Sequence, residues 1–401
     1  MKLPNGWHWE EISQLADINS RSLPTNTQPD YRFRYIDLSC VRKGHIDWPK
    51  VDTVLSEAPS RAQRVIVKND VLMALVRPNL QSFAVVNTAV RDIVVSTGFA
   101  VLSPKSRCDG SFLYQSLFGG KLTAQISRLT AGSSYPALSS SEVETLVVAV
   151  PANIPEQQKI ADILGTWDEA LEKLNALIAA KDRRKQALMQ QLLTGKLRLR
   201  GFKNHAWNSV HMGDALERVF RPVEMAQNAT LALVSIRRRL GGLFRRPDVL
   251  ASEYKTQDLH AIKVGDFLIS KRQVVHGAWA IVETEFDGTL VSKEYAILVN
   301  RAPDTLDIRF FAWLAQTPRL VRLARVASTG VHIEKLIFDP DVFLREKIRI
   351  PSEVKEQTAI AAILDTADAE LRLLHQQRTA LDHQKRGLMQ QLLTGRIRVS
   401  P

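Results

Sequence analysis

The sequence predicts an α+β fold in which two mixed α/β domains are separated by two long α-helices. The helices are expected to pack as an antiparallel coiled coil, closing the chain into a pseudo-twofold circular arrangement. Three observations predict this. One block of residues recurs at an offset of 200, each copy keeps a 4-3 apolar spacing, and the intervening stretches repeat one order of strand-like and helix-like segments. A fixed internal period outranks local signals, because a duplicated segment must fold the same way twice.

The repeated block runs from Pro155 to Gly195. Glu156, Gln157, Ile160, Ala161, Ile163, Leu164, Thr166, Asp168, Leu171 and Leu174 return as Glu356, Gln357, Ile360, Ala361, Ile363, Leu364, Thr366, Asp368, Leu371 and Leu374. Both copies close on Leu-Met-Gln-Gln-Leu-Leu-Thr-Gly, at Leu188–Gly195 and Leu388–Gly395. Prolines punctuate each start and a glycine stands past each end, the usual asymmetry of helix boundaries. The apolar seam reads Ile160, Leu164, Trp167, Leu171, Leu174, Ile178, Lys181, Lys185, Leu188 and Leu192 in the first copy. In the second it reads Ile360, Leu364, Ala367, Leu371, Leu374, Arg378, Leu381, Lys385, Leu388 and Leu392. Such a/d spacing marks a coiled-coil seam, and at 1.5 Å per residue each helix reaches roughly 60 Å.

Connectivity sets the direction. The chain leaves the first helix at Gly195 and enters the second after Pro351. A parallel pair would force the insert to span the whole rod, whereas an antiparallel pair leaves it compact at one end. The antiparallel layering sets Ile160 by Leu392, Leu164 by Leu388, Leu171 by Leu381 and Leu174 by Arg378. It also sets Trp167 by Lys385, whose stem and charge suit an indole face, and Ala367 by Lys185.

Residues 1–151 read as the first mixed domain and 152–195 as the first helix; 196–351 form the second domain and 352–395 the second helix. Residues 396–401 are a strand-like tail. In the first domain Arg64–Val67, Val71–Val76, Ala84–Val86, Phe99–Leu102 and Val147–Val150 have strand composition, and Phe112–Leu129 reads as one helix. The second domain repeats the order: Phe267–Leu268 answers Val71–Leu72, Tyr295–Leu298 answers Phe99–Leu102, and Arg309–Arg325 answers the helix. Both tails, Lys196–Leu199 and Arg396–Val399, alternate as strands do.

With 54 basic and 42 acidic residues the net charge is +12 and the pI about 9.7, which favours a polyanionic partner. Two cysteines, Cys40 and Cys108, offer neither a disulfide framework nor metal spacing, so a reducing cytoplasm is expected. No signal peptide and no apolar run of membrane-spanning length is expected.

The globular stretches differ at almost every position, while the helices keep about half of theirs. Off-seam Met189, Gln190, Gln191 and their copies Met389, Gln390, Gln391 are retained too, which we read as one shared surface offered to two copies of one partner. These features together, with Pro151–Gln157 and Pro351–Gln357 each forming a Pro-x-x-x-x-Glu-Gln lead-in and with the Leu-Leu-Thr-Gly endings, resemble the specificity subunit of type I restriction–modification systems over essentially the whole length. The resemblance implies a DNA-binding subunit whose two target-recognition domains each read one half of a bipartite double-stranded DNA target. It implies a helical spacer, with two methyltransferase (modification) subunits and restriction subunits as partners; the nine histidines are scattered without metal-ligand spacing, so neither metal nor cofactor is expected.

Recognition of that kind needs cations on phosphates and side chains in the major groove. In the first domain Arg77, Asn79 and Gln81 resemble the family's DNA-facing loop, although the usual Gly-rich form is missing, and Ser133, Ser134 and Tyr135 form a second loop. The matching loops of the second domain carry Lys271, Arg272, Gln273 and His276, then Thr329 and His332. Arg237, Arg238, Arg239, Arg245 and Arg246 flank Gly241–Gly242, a hairpin whose arms suit the DNA backbone.

No methyltransferase motif is present, and Thr194–Leu197 lacks the flanking residues of a phosphate-binding loop. Pro340–Asp341 with Glu353 and Lys355 superficially resembles a nuclease signature, but Glu353 and Lys355 match Asn153 and Pro155 of the first copy. The chain is therefore expected to be non-catalytic. A coiled-coil scaffold without DNA reading, and a stand-alone nuclease with an unrecognised site, are the alternatives.

Overall fold

Two helices of 39 residues, Ile154–Leu192 and Val354–Leu392, run through the computed structural model, which describes residues 3–254 and 258–400. Met1, Lys2 and Pro401, at the outer bounds of the expected domains, lie outside the described residues. By contacts the chain divides into two compact units, Met1–Ala176 with His375–Pro401, and Leu177–Leu374. The division cuts through both long helices because each globular core includes turns from both. In the first unit Ile160, Ala161 and Leu164 share one core with Met389, Leu392 and Leu393. In the second, Ile360, Ala361 and Leu364 share one with Leu192 and Leu193. Early turns of one helix thus meet late turns of the other in each unit, the antiparallel sense. The 4-3 pattern is physically real: Ile160, Leu164, Leu192, Ile360, Leu364, Leu371 and Leu392 are buried, and Trp167, Leu171, Leu174, Leu188, Leu374, Leu381 and Leu388 half-buried.

One expected seam contact is corrected. The buried Lys385 gives its ammonium to Asp168, not to the indole of Trp167. A carboxylate supplies both a counter-charge and a hydrogen-bond acceptor, which a buried ammonium needs more than a ring face. Its copy, Lys185, bonds Asp368 at 2.7 Å. Arg378 is exposed.

In the first unit Trp7–Glu11 pairs antiparallel with Val147–Pro151. One four-stranded sheet orders Ala16–Ile18, Phe99–Pro104, Val71–Ala74 and Phe83–Val85, antiparallel throughout. Another orders Thr53–Val54, Arg32–Ile36, Ile93–Ser96 and Ala62–Val65, with one parallel pairing. The second unit repeats the frame: Trp207–His211 pairs with Lys347–Pro351, and a four-stranded sheet orders Leu216–Val219, Tyr295–Asn300, Phe267–Ser270 and Trp279–Ile281. Strands and helices are segregated rather than alternating, which is the α+β class.

The single helices expected at Phe112–Leu129 and Arg309–Arg325 are each two. Gly110–Ser116 and Gly120–Leu129 are separated at Gly119, and Ile308–Ala315 and Pro318–Val326 at Thr317. Glycine disfavours a helix interior, and proline cannot donate there but is welcome at a first turn. The tails carry no strand in residues 196–200 and 396–400. Each instead delivers one arginine inward. Arg398 reaches the fully buried Glu156 at 2.6 and 2.8 Å, and Arg198 reaches Glu356 at 2.9 and 3.0 Å.

Gly195 and Gly395 have φ of +71° and +68°. Both lie against an indole: a Cβ would stand 3.1 Å from Trp207 in one case, and 2.7 Å from Pro4 and 3.0 Å from Trp7 in the other. A left-handed backbone with an aromatic ring this close admits only glycine without strain.

Candidate nucleic-acid interface

The first turn of each long helix anchors the segment that leads into a short helix of the adjoining globular part. Gln157 is fully buried; its Oε1 accepts from the Asp109 N–H at 2.8 Å, and its Nε2 donates to the carbonyls of Pro151 and Arg107 at 2.9 and 3.1 Å. Gln357 does the same with the Asp307 N–H and the carbonyls of Pro351 and Thr305. Asp109 and Asp307 in turn cap the helices that begin at Gly110 and Ile308. Sequence reasoning singled out Glu-Gln as a signature and missed its bonding. The signal was available, since a glutamine retained beside apolar neighbours must satisfy its amide internally.

A second shared anchor sits under the strand that leads to each candidate loop. Asp70, 1% exposed, receives Arg21 at 2.6 Å and the Val67 N–H at 2.7 Å. Asp266, 3% exposed, receives Arg221 at 2.5 Å and the Lys263 N–H at 2.7 Å. The Asp266 carboxylate holds the Arg221 guanidinium above its ordinary range. A buried carboxylate with several charge-assisted bonds fixes where the next strand begins.

In the first unit the two expected loops converge. Val76 bridges Ala137, the Arg77 N–H donates to the Pro136 carbonyl at 2.8 Å, and the Arg77 guanidinium lies 5.4 Å from the Tyr135 ring centroid. Arg77 and Gln81 both adopt left-handed backbone, with φ of 50° and 54°. Arg77, Asn79, Ser133, Ser134 and Tyr135 are exposed, and Gln81 is half-buried. These are one cation, two amides, hydroxyls and one aromatic ring on two converging loops.

In the second unit Val234–Ile236 pairs with Leu243–Arg245, giving the expected hairpin. Its turn docks onto the next loop, with the Arg239 N–H on the His276 carbonyl at 2.7 Å and the Leu240 N–H on the Gly277 carbonyl at 2.9 Å. Glu334 then faces both: Arg238 at 3.2 Å and His276 at 3.2 Å. The Phe338 N–H donates to the Lys271 carbonyl, joining the hairpin of Thr329 to the Lys271–Gly277 loop. Hence Arg238, His276, Lys271, Gln273 and the exposed Thr329 and His332 form one loop cluster. Arg272 is held by Glu294 at 2.5 Å, and Arg237 lies 4.5 Å from the Phe244 ring centroid. The guanidinium of Arg245 donates to the Glu285 carbonyl and that of Arg246 to the Tyr254 hydroxyl. The sequence offered no sign of Glu334, whose role depends on which loop it meets.

Of the retained off-seam residues, Met389 is buried in the first core and Met189 is half-buried at the edge of the second, so the methionines have a packing role. Gln190, Gln191, Gln390 and Gln391 are exposed. Among the described residues there is no group of three metal-ligating side chains, and no helix long and apolar enough to cross a membrane. Asp341, Glu353 and Lys355 are exposed, and Glu353 faces His205 at 3.6 Å.

A family model described as the type I restriction modification DNA specificity domain matches residues 4–180. The specificity subunit of the type I restriction enzyme HindI from Haemophilus influenzae is 28% identical over 170 residues, 41% of this chain and 36% of that protein. That of MjaVIII from Methanocaldococcus jannaschii is 23% identical over 330 residues, 76% of this chain and 75% of that protein. The chain thus aligns with little more than a third of the first relative and three-quarters of the second. A chain from a study of complex assembly and conformational transition in the type I restriction–modification system shares the fold at TM-score 0.61, with 21% identity over 99% of this chain and 100% of that one. The S subunit of a type I system from M. genitalium shares it at TM-score 0.62, with 14% identity over 98% of both chains. The chain is accordingly similar to the specificity subunits of type I restriction–modification systems, and its residues 4–180 match the model of their DNA specificity domain.

Proposed function

We propose that this chain is the non-catalytic, DNA-reading subunit of a cytoplasmic type I complex. Residues 1–151 read one half of a bipartite double-stranded target and residues 196–351 the other. The long helices, 152–195 and 352–395, serve as spacer and as the attachment for two methyltransferase subunits, with restriction subunits joining that assembly. The observation that carries the reading is the contrast within each unit. Buried anchors at Gln157 and Gln357, Asp70 and Asp266, and Glu156 and Glu356 are the same twice, while the exposed candidate loops of the two units are unlike. Selection for two different surfaces on one frame produces that pattern.

The chemistry of the loops suits the task. Arginine presents two parallel donors to guanine, and Asn79 and Gln81 suit adenine. The ion pairs of Arg238 and Arg272 are exposed, so each is weak and is exchanged for phosphate at little cost. Replacing residues 3–150 by another recognition domain should move one half of the methylated sequence, read by mapping modified adenines; an unmoved half-site sinks the proposal. Deleting seven residues from both long helices should change the gap between half-sites and leave the bases read unchanged.

A further inference from the structure

In the second unit the hairpin that carries Thr329 and His332 holds Val331 clear of the protein, 97% exposed. Ile333 and Ile337 of the same hairpin are 42% and 48% exposed. The exposure does not come from a loose backbone. Ser328 and Thr329 pair with Phe338 and Ile337, and the Lys335 N–H donates to the His332 carbonyl at 2.8 Å. At Gly330 the turn closes so tightly that a Cβ would stand 2.7 Å from the Lys335 carbonyl oxygen. Glu334 ties the hairpin to Arg238 and His276, and the Phe338 N–H ties it to the Lys271 carbonyl. Val331 is thus held out by a braced turn, and the loops that brace it carry cations.

A valine so placed adds nothing to the fold, and its apolar surface gains only when an apolar group covers it. Single exposed apolar residues are common, but this one stands among cations and hydrogen-bonding groups that draw in a polyanion. Of the groups that the major groove displays, the 5-methyl of thymine is the apolar one; the others donate or accept hydrogen bonds. Valine is stiff about χ1, so little side-chain entropy is lost when it meets that methyl. We infer that Val331 reads a thymine in the half-site of the second unit by contact with its 5-methyl group. This rests on the proposed function above and sharpens it from a DNA half-site to one base. The matching loop of the first unit has the exposed Ser133 after its glycine, and that hydroxyl accepts from the Tyr135 N–H at 3.2 Å. The first unit therefore lacks the device.

The test uses the full chain assembled with its methyltransferase subunits to select duplexes from a random DNA library, built once with thymine and once with uracil, which lacks only the methyl. The half-site of the second unit is the one left unmoved when residues 3–150 are replaced. At one position of it the parent should demand thymine, and uracil there should weaken binding about fourfold, the worth of one buried methyl group. V331A and V331S should lose the same factor on the thymine duplex, suffer no further loss from uracil, and melt as the parent does. V331I should keep the discrimination. Losses that fail to add in this way belong to one contact. Thymine and uracil bound alike by the parent throughout that half-site overturn the inference and leave the proposed function standing. A uracil penalty that persists in V331A, whatever the overall affinity of the variant, does the same and makes the valine a wedge or a bystander. Loss of methyltransferase binding by V331A with its base preference unchanged assigns the patch to a protein and also overturns the inference. A parent complex with no sequence preference in either library overturns the proposed function itself.

Discussion

The two units agree where side chains are buried and disagree where they meet solvent. In each, a glutamine satisfies three backbone groups at the start of the long helix, a tail arginine meets a buried glutamate, and a lysine on one long helix meets an aspartate on the other. Above those anchors the first unit presents Arg77 against Tyr135, and the second presents Arg238 and His276 around Glu334. Burial explains the difference. A buried polar group that loses its partner costs the full desolvation penalty, so it cannot drift. An exposed group loses almost nothing and is free to change with its target.

The agreement is not uniform, and the sharpest way to break the comparison is at the interhelical pairs. The side chain of Lys385 is 6% exposed and that of Lys185 18%. D168N, which strands the more buried ammonium, should cost about 3–5 kcal/mol, and D368N clearly less, measured by denaturant unfolding. K385M combined with D168N should recover most of the loss; no recovery would mean that Asp168 acts through Gln115, which donates to it at 2.8 Å.

Q157A and Q357A should each cost about 2–4 kcal/mol, since each orphans several buried backbone groups. Equal losses in calorimetry would confirm that both glutamines serve one repeated device; a loss at only one would show that the copies have parted.

G395A should destabilise more than G195A, by about 1–2 kcal/mol in total for the worse site. Both need left-handed backbone, but only at Gly395 would the new Cβ also meet Pro4. A thermal melt of each variant ranks them.

The exposed loops are expected to behave in the opposite manner. R77A and R238A should leave unfolding within about 0.5 kcal/mol of the parent, yet weaken DNA binding. Removing a cation that neutralises one phosphate should lower the slope of log affinity against log salt by about 0.9. Removing a side chain that reads a base would instead relax preference at one position and leave the slope unchanged.

The smallest expected difference concerns pH. Burial lowers the pKa of His260 below its ordinary 6.5, with Asp258 opposing the shift. The unfolded chain therefore binds the proton more readily than the folded one. Stability should rise with pH from the folded pKa up to about 6.5 and level off above it. H260Q should flatten that segment of the profile; an unchanged slope would mean that another group titrates there.

Much of this architecture was legible in the chain. Duplication at an offset of 200, the 4-3 seam and the compact insert between helices sufficed for the α+β class and the antiparallel sense. The breaks at Gly119 and Pro318 were written in the sequence as well, and reading each pair of short helices as one passed over an ordinary breaker. The strand expected at each tail came from alternation in four or five residues, too short a run to separate a strand from a loop in which neighbouring residues, Arg198 with Leu199 and Arg398 with Val399, both make contacts.

By itself the sequence determined which positions repeat and which face of each helix avoids water, because burial periodicity is a local property of a regular backbone. Only the tertiary structure decided what the repeated polar residues hold: that Gln157 caps a neighbouring turn, that Lys385 prefers Asp168 to an indole, that Glu334 gathers Arg238 and His276. Hydrogen bonds and ion pairs depend on tenths of an ångström between residues far apart in the chain. No spacing rule carries that information until the backbone has brought them together.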